Sequence, residues 1–180
     1  MINENDVKLA AFQDEDVALF GQWIDKNYIY KWFCCDGKDD EQARADGLEE
    51  KQAWLDEVTN RKANPHRHQF MVACNGIKIG FGVCIDLAGE LEYVEEYYPD
   101  LNGKIAAREA FELGYCIGEE NYLGKGIGKI IISKLEEAAL KLGATLLLAD
   151  PNEANIASVK VLLANGFGKY KDGDYRKRLG

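Results

Sequence analysis

Residues 120–131, ENYLGKGIGKII, set three glycines at alternate positions, Gly124, Gly126 and Gly128, directly ahead of an aliphatic run. Glycine loses more backbone freedom on ordering than any other residue, so this density calls for a structural reason. Upstream, AFELGYCIG (110–118) reads as a strand rich in apolar and aromatic residues. Downstream, GIGKIIISKLEEAALKLG reads as a helix. Its Ile127, Ile130, Ile131, Leu135, Ala138 and Leu142 share one apolar face, and Gly143 is a natural stop. A strand, a glycine turn and a helix together make an anion site, because the unpaired amides of the first helical turn and the helix dipole both favour negative charge. The spacing is not that of a Walker loop, which needs G-x-x-x-x-G-K-[ST]. Nor is it a dinucleotide fingerprint, whose third glycine falls later and which belongs to an early βαβ unit.

The rest of the chain supplies the frame. VKLAAF (7–12) predicts an opening strand. DEDVALFGQWIDK (14–26) predicts a helix capped by Asp14, with Val17, Phe20, Trp23 and Ile24 at helical spacing. After the aromatic cluster NYIYKWFCC, residues 39–62 predict a largely exposed helix anchored by Trp54, Leu55 and Val58, with Gly47 weakening its first half. Residues 69–87 read as two strands joined at Asn75-Gly76, the strongest short hairpin signal. The segment 88–104 then breaks the pattern. TLLLAD (145–150) reads as a buried strand, 151–167 as a helix ending at Gly166, and the close as a hairpin at Asp172-Gly173. This order predicts an α/β fold in one domain, 1–180, with a mixed sheet and helices packed on it.

Charge and composition narrow the class. The 180 residues carry a net charge of −9, which argues against a nucleic-acid surface and suits a cationic ligand, or simply solubility. No apolar stretch approaches the length that spans a bilayer, and MINENDVKLAAF has acids where a secretory signal carries bases. A cytoplasmic location without membrane partners is expected. The five cysteines, Cys34, Cys35, Cys74, Cys84 and Cys116, form no C-x-x-C pair, and the last three sit in apolar runs. His66 and His68 are the only histidines, in NPHRHQF, and read as a solvated loop. No metal is expected.

The segment LGKGIGK opening a helix, followed by a strand and then by a helix reading NIASVKVLLANGF, resembles the GNAT acetyltransferase superfamily. That family's pattern is [QR]-x-x-G-x-[GA], then N-x-x-[AS]…G-F. It corresponds here to Leu123 through Gly128, then Asn155, Ser158, Gly166 and Phe167. The resemblance extends to nearly the whole order of elements. It implies a single, mostly antiparallel sheet of six or seven strands, helices on both faces, and fourth and fifth strands splayed apart. It also implies acetyl-CoA as donor. The pyrophosphate would sit on the amides of Gly124, Lys125, Gly126, Ile127, Gly128 and Lys129, and the pantetheine arm would pair with the strand ending at Cys116-Ile117. Asn155 and Ser158 belong to the same implied cofactor set. Leu123 departs from the usual Gln or Arg, which shifts the burden onto backbone amides.

Two further stretches bear on the acceptor. IGEENYLG and ADPNEAN resemble the aminoglycoside 6′-N-acetyltransferase branch, as do NYIYKWF and YVEEYYPD, whereas FELGYCIG and NIASVKVL equally resemble acetyltransferases of ribosomal-protein N-termini. The first branch implies a small cationic amine, the second a protein N-terminus; a polyamine is a further alternative, and a homodimer is left open. An amino-sugar wants carboxylates and flat apolar faces. Asp86, Glu90, Glu92, Glu95, Glu96 and Asp100, interleaved with Tyr93, Tyr97 and Tyr98, fit that need, with Trp32 and Phe33 as the opposing wall. The same segment also reads as a solvated acidic loop.

Attack on a thioester requires a neutral amine, so a proton acceptor is needed, together with a donor for the carbonyl oxygen. By the resemblance that donor is a backbone N–H near Ile117. Two carboxylates are candidates for the base. Glu112 precedes by two residues the place where the aminoglycoside branch has an Asp and this chain has Gly114, and residues i and i+2 share a strand face. Asp150 matches that branch's DP. The bland alternatives are an exposed strand residue for Glu112 and a helix N-cap for Asp150. Leu162 stands where many family members carry a tyrosine acid, so water, Ser158 or another tyrosine must serve, or the thiolate leaves unaided. A CoA-binding protein without chemistry is the remaining alternative. Cys116 lacks a histidine partner and reads as core, which favours direct transfer in a ternary complex.

Overall fold

The computed structural model describes residues 2–180. Seven strands form one sheet in the order β1-β2-β3-β4-β5-β7-β6. They are β1 (Val7–Ala11), β2 (Arg67–Cys74), β3 (Ile77–Asp86), β4 (Ala110–Ile117), β5 (Leu146–Ala149), β6 (Gly168–Lys171) and β7 (Asp174–Arg178). Every neighbouring pair is antiparallel except β4–β5, which is parallel. The predicted hairpin turn forms at Asn75 (φ 49°) and Gly76 (φ 83°), the left-handed backbone that a tight Asn-Gly connection requires.

The helices are α1 (Val17–Ile24), α2 (Asn27–Phe33), α3 (Glu41–Thr59), α4 (Leu91–Tyr97), α5 (Ile127–Leu142) and α6 (Ile156–Ala164). One core cluster joins α5 and α6 to the sheet through Phe111, Leu113, Ile131, Leu135, Leu147 and Leu162. A second joins α1, α2 and α3 through Phe20, Trp23, Ile29, Val58, Phe81 and Cys116. Alternation along β4 sends Phe111 and Leu113 into the first cluster and Cys116 into the second, so helices cover both faces.

Three expectations need correction. The aromatic cluster NYIYKWF and the acidic segment each contain a short helix, α2 and α4; Ile29 and Val94 are the buried anchors. On α5 the buried stripe runs through Ile127, Ile131, Ile132, Leu135 and Ala139, with Ile130, Ala138 and Leu142 only partly covered. Gly47 sits within α3 for a packing reason rather than as a weak point. A Cβ there would lie 2.9 Å from the Cys34 carbonyl oxygen and 3.0 Å from Cys35 Sγ, so only glycine lets α3 approach the end of α2 so closely.

Candidate active site

β4 and β5 pair only from Ala110↔Leu146 to Glu112↔Leu148, while β4 continues against β3 as far as Ile117. Glu112 is therefore the last residue of β4 joined to β5. Beyond it the two strands part, and a cleft of about 770 Å³ opens in the gap. Its walls are Trp32, Phe33 and Trp54 from the α2–α3 side and Tyr93 and Tyr97 from α4. Glu112 through Tyr115 line it from β4, Asp150 and Asn152 from the end of β5, and Asn155, Ser158 and Leu162 from α6.

Two carboxylates meet at the centre. Glu112 is only 7% exposed, which excludes the exposed-strand alternative. Tyr98 donates to its Oε2 at 2.6 Å, and the Tyr93 hydroxyl lies 3.1 and 3.3 Å from its two oxygens. The same Tyr93 hydroxyl is 3.3 Å from Asp150 Oδ2. Burial, reinforced by the Asp150 charge, pushes Glu112 up to about 8. Asp150 opens onto the cleft, yet the cleft walls strip it of bulk water and raise it to about 6, against the opposing effect of the Tyr93 hydrogen bond. Both tyrosines are held protonated, primarily by burial and secondarily by the adjacent carboxylate charges. Asp150 does not cap the following helix. Asn155 does so, accepting from the Ser158 backbone N–H at 3.2 Å.

The cleft is acidic throughout. Asp36, Glu50, Glu57 and Glu90 line it beside Glu112 and Asp150, with Arg67 as a cation among them. Arg67 is bonded to both Glu57 and Glu90, which neutralises part of the deep end. Glu50, Ala53, Trp54 and Glu57 form one i, i+3, i+4, i+7 stripe of α3 facing the cavity. The helical spacing of these acids is visible in EEKQAWLDE (49–57), although the cleft's acids were expected in the tyrosine-rich segment instead.

That segment supplies less acid than expected. Asp86 accepts from the Ala88 and Arg108 backbone N–H groups, Glu90 is tied to Arg67 and His66, and Asp100 forms a bidentate pair with Arg176. Glu95 lies on the exposed side of α4, and Glu96 faces an adjoining groove with Asp172 and Lys171. Tyr93, Trp32 and Phe33 do line the cleft. The solvated loop expected for the histidines holds for neither: His68 lies within β2, and His66, in the turn just before it, is half-buried with Nε2 2.7 Å from Glu90. Among the described residues no three His, Cys, Asp or Glu side chains are grouped to hold a metal ion.

The glycine turn lies at the other end of the gap. Gly124 (φ 69°) and Gly126 (φ 77°) are both left-handed, and a Cβ on either would project into open space. Gly126 caps α5 without any side-chain bond, among the described residues no side chain accepts from the amides of the first turn, and Lys125 and Lys129 flank them. This geometry fits a pyrophosphate. Trp23 Nε1 donates to Glu119 Oε1 at 2.7 Å and Tyr28 to the Gly118 carbonyl at 2.8 Å, which fixes the approach to the turn. Ile117 also receives Tyr28 at its carbonyl. Leu123 is 42% exposed, beside Tyr28 and Glu120. Cys116 is a buried core thiol that desolvation pushes up to about 12, so it carries no nucleophilic thiolate.

A parallel pair that splits beside a glycine-turned helix is the arrangement that the sequence resemblance implied. Residues 6–168 match the acetyltransferase (GNAT) domain family. The chain belongs to the GNAT family and is an N-acetyltransferase by that membership. Among solved structures it is similar to the aminoglycoside acetyltransferase AAC(6')-Ib in complex with ribostamycin and coenzyme A, at 19% identity and a TM-score of 0.70. That match covers 96% of this chain and 93% of the other. The aminoglycoside N(6')acetyltransferase of Legionella pneumophila is similar at 20% identity and TM-score 0.64, covering 97% and 91%. The Campylobacter jejuni N-acetyltransferase PseH is similar at 17% identity and TM-score 0.59, covering 97% and 99%. At these identities the likeness is one of fold.

Proposed function

We propose that this protein transfers the acetyl group of acetyl-CoA to a primary amine of a small, multiply charged cation, with an amino-sugar of the aminoglycoside class as the leading acceptor. The observation that carries this reading is the acidic, aromatic-walled cleft centred on Glu112 and Asp150 where β4 leaves β5. Flat rings at Trp32, Phe33 and Tyr93 suit sugar faces, and the surplus of carboxylates suits ammonium groups. The AAC(6')-Ib structures hold ribostamycin, paromomycin or kanamycin, which supports the same substrate class here.

The amides of Gly124 to Lys129 would hold the donor's pyrophosphate, with Asn155 and Ser158 beside its arm. When bound, acetyl-CoA supplies the activated thioester carbonyl. Asp150, at the cleft surface, takes a proton from the incoming ammonium group; a carboxylate raised toward neutrality matches that task better than an ordinary one. Glu112 lies behind it, joined through Tyr93, and keeps its own proton until pH rises through about 8. The backbone N–H near Ile117 donates to the carbonyl oxygen. Where Leu162 offers no proton, Ser158 and Tyr115 line the same wall with hydroxyls, and burial pushes Tyr115 up to about 12, so it stays a donor. Thiol release from acetyl-CoA, followed across aminoglycosides, polyamines and N-terminal peptides, tests the reading. Turnover of amino-sugars supports it; turnover of peptides alone refutes the acceptor class, and no turnover at all refutes catalysis.

A further inference from the structure

Tyr93 bridges the two carboxylates. Its hydroxyl lies 3.1 and 3.3 Å from the oxygens of Glu112 and 3.3 Å from Asp150 Oδ2, yet it owns a single proton. It cannot satisfy both acids at once, so the chain Asp150–Tyr93–Glu112 has two hydrogen-bonded arrangements. Asp150 opens onto the cleft, whereas Glu112 is sealed behind Tyr93 and Tyr98. The Tyr93 ring is fixed by Tyr97 and Tyr98, at centroid separations of 4.7 and 5.9 Å.

We propose that Tyr93 is a proton relay that carries the acceptor's proton from Asp150 at the cleft surface to Glu112 in the interior. The proposal rests on the acetyl-transfer reading above and names the path its base uses. The ammonium N–H bond breaks as an O–H bond forms on Asp150. Asp150 then passes that proton to the Tyr93 oxygen while Tyr93 passes its own to Glu112. Asp150 and Tyr93 are restored, and one proton has moved inward without any other bond changing. After product leaves, the proton returns along the same chain to Asp150 and solvent. The transfer needs an ionised Glu112, so the relay operates as pH rises through about 8, and there the more deeply buried Glu112 is the better proton sink, which gives the transfer its direction. The groups that bias the pair are Tyr98 at the C-terminal cap of α4, Arg67 from β2, Asp36 from the α2–α3 connection and Asp174 from β7.

The test is Tyr93→Phe, which keeps the ring and removes the bridge. Carboxyl-carbon NMR titration of substrate-free protein reads the pair directly: loss of a donor to both carboxylates moves their midpoints upward. In turnover, kcat falls about 10- to 100-fold with KM for acetyl-CoA unchanged. The acid limb of the kcat/KM profile moves to higher pH, and the proton inventory in mixed heavy water changes from curved to linear. A variant with unchanged carboxyl midpoints, or one with reduced kcat but a wild-type pH profile and a curved inventory, overturns the relay. The NMR arm needs no substrate. A wild-type protein that acetylates nothing therefore overturns the acetyl-transfer reading, while unchanged midpoints overturn the relay.

Discussion

The Tyr98 hydroxyl donates to Glu112 Oε2 at 2.6 Å, and both residues are buried. This bond ties α4 to the residue at which β4 and β5 separate, so the acidic segment is a structural part of the cleft rather than a loose flap. Val94 and Tyr98 also pack against Leu146 and Leu148 of β5 in a separate core cluster. The Tyr98→Phe variant leaves Glu112 short of its closest donor. We expect a stability loss of about 1–3 kcal/mol in urea denaturation, the cost of a buried acceptor left underpaired.

The raised pKa of Glu112 predicts a pH signature in stability. An ordinary glutamate in the unfolded chain titrates near ~4.3, whereas the folded group is pushed up to about 8. Between these values the folded state binds more protons than the unfolded state, so the group's contribution is complete below the lower value and lost as pH rises through the upper one. Glu112→Gln removes that loss. Denaturant midpoints of the variant and wild type should converge at acidic pH, with the variant gaining the advantage as pH rises through neutrality.

The glycine turn separates backbone from crowding effects. At Gly124 and Gly126 an added Cβ meets nothing, so Gly126→Ala costs only left-handed strain, about 1–2 kcal/mol, read from the melting curve. At Gly128 the Cβ would come 2.8 Å from the Tyr115 hydroxyl. Gly128→Ala should therefore disturb the cleft wall as well. Calorimetric titration with acetyl-CoA should show weaker binding in both variants.

Much of this was legible in the sequence. The hairpin at Asn75-Gly76, the strand before the glycine turn and the stop at Gly143 are local signals, and the structure has them where spacing put them, whereas the cap of α6 falls to Asn155 rather than Asp150. Glu112 and Asp150 could be singled out, but their meeting through Tyr93 could not, because it depends on where α4 docks. The two short helices were hidden for a related reason. Each is one or two turns long and held by tertiary packing of aromatic residues rather than by its own periodicity. The acids of 86–100 looked available because a sequence does not display Arg67, Arg108 and Arg176, which come from distant elements. The carboxylates of α3 were missed although their helical spacing was in view.

Electrostatics give a further check. If the surplus charge of Asp36, Glu50, Glu57 and Asp150 recruits the acceptor, KM for a polycationic amine should rise several-fold as ionic strength increases, because screening weakens that field. The KM of a singly charged amine should change much less. Steady-state kinetics over a salt series measures both.

Acetyl transfer to a small cationic amine is tested most directly by competition. The protein is incubated with acetyl-CoA and an equimolar mixture of an amino-sugar, a polyamine and an N-terminal peptide, and the products are weighed by mass spectrometry. The account predicts that a single acetyl group appears first on the amino-sugar, and that Asp150→Asn slows its appearance about 100-fold or more. Acetylation of the peptide with the amino-sugar untouched, or an undiminished rate in the variant, would contradict it.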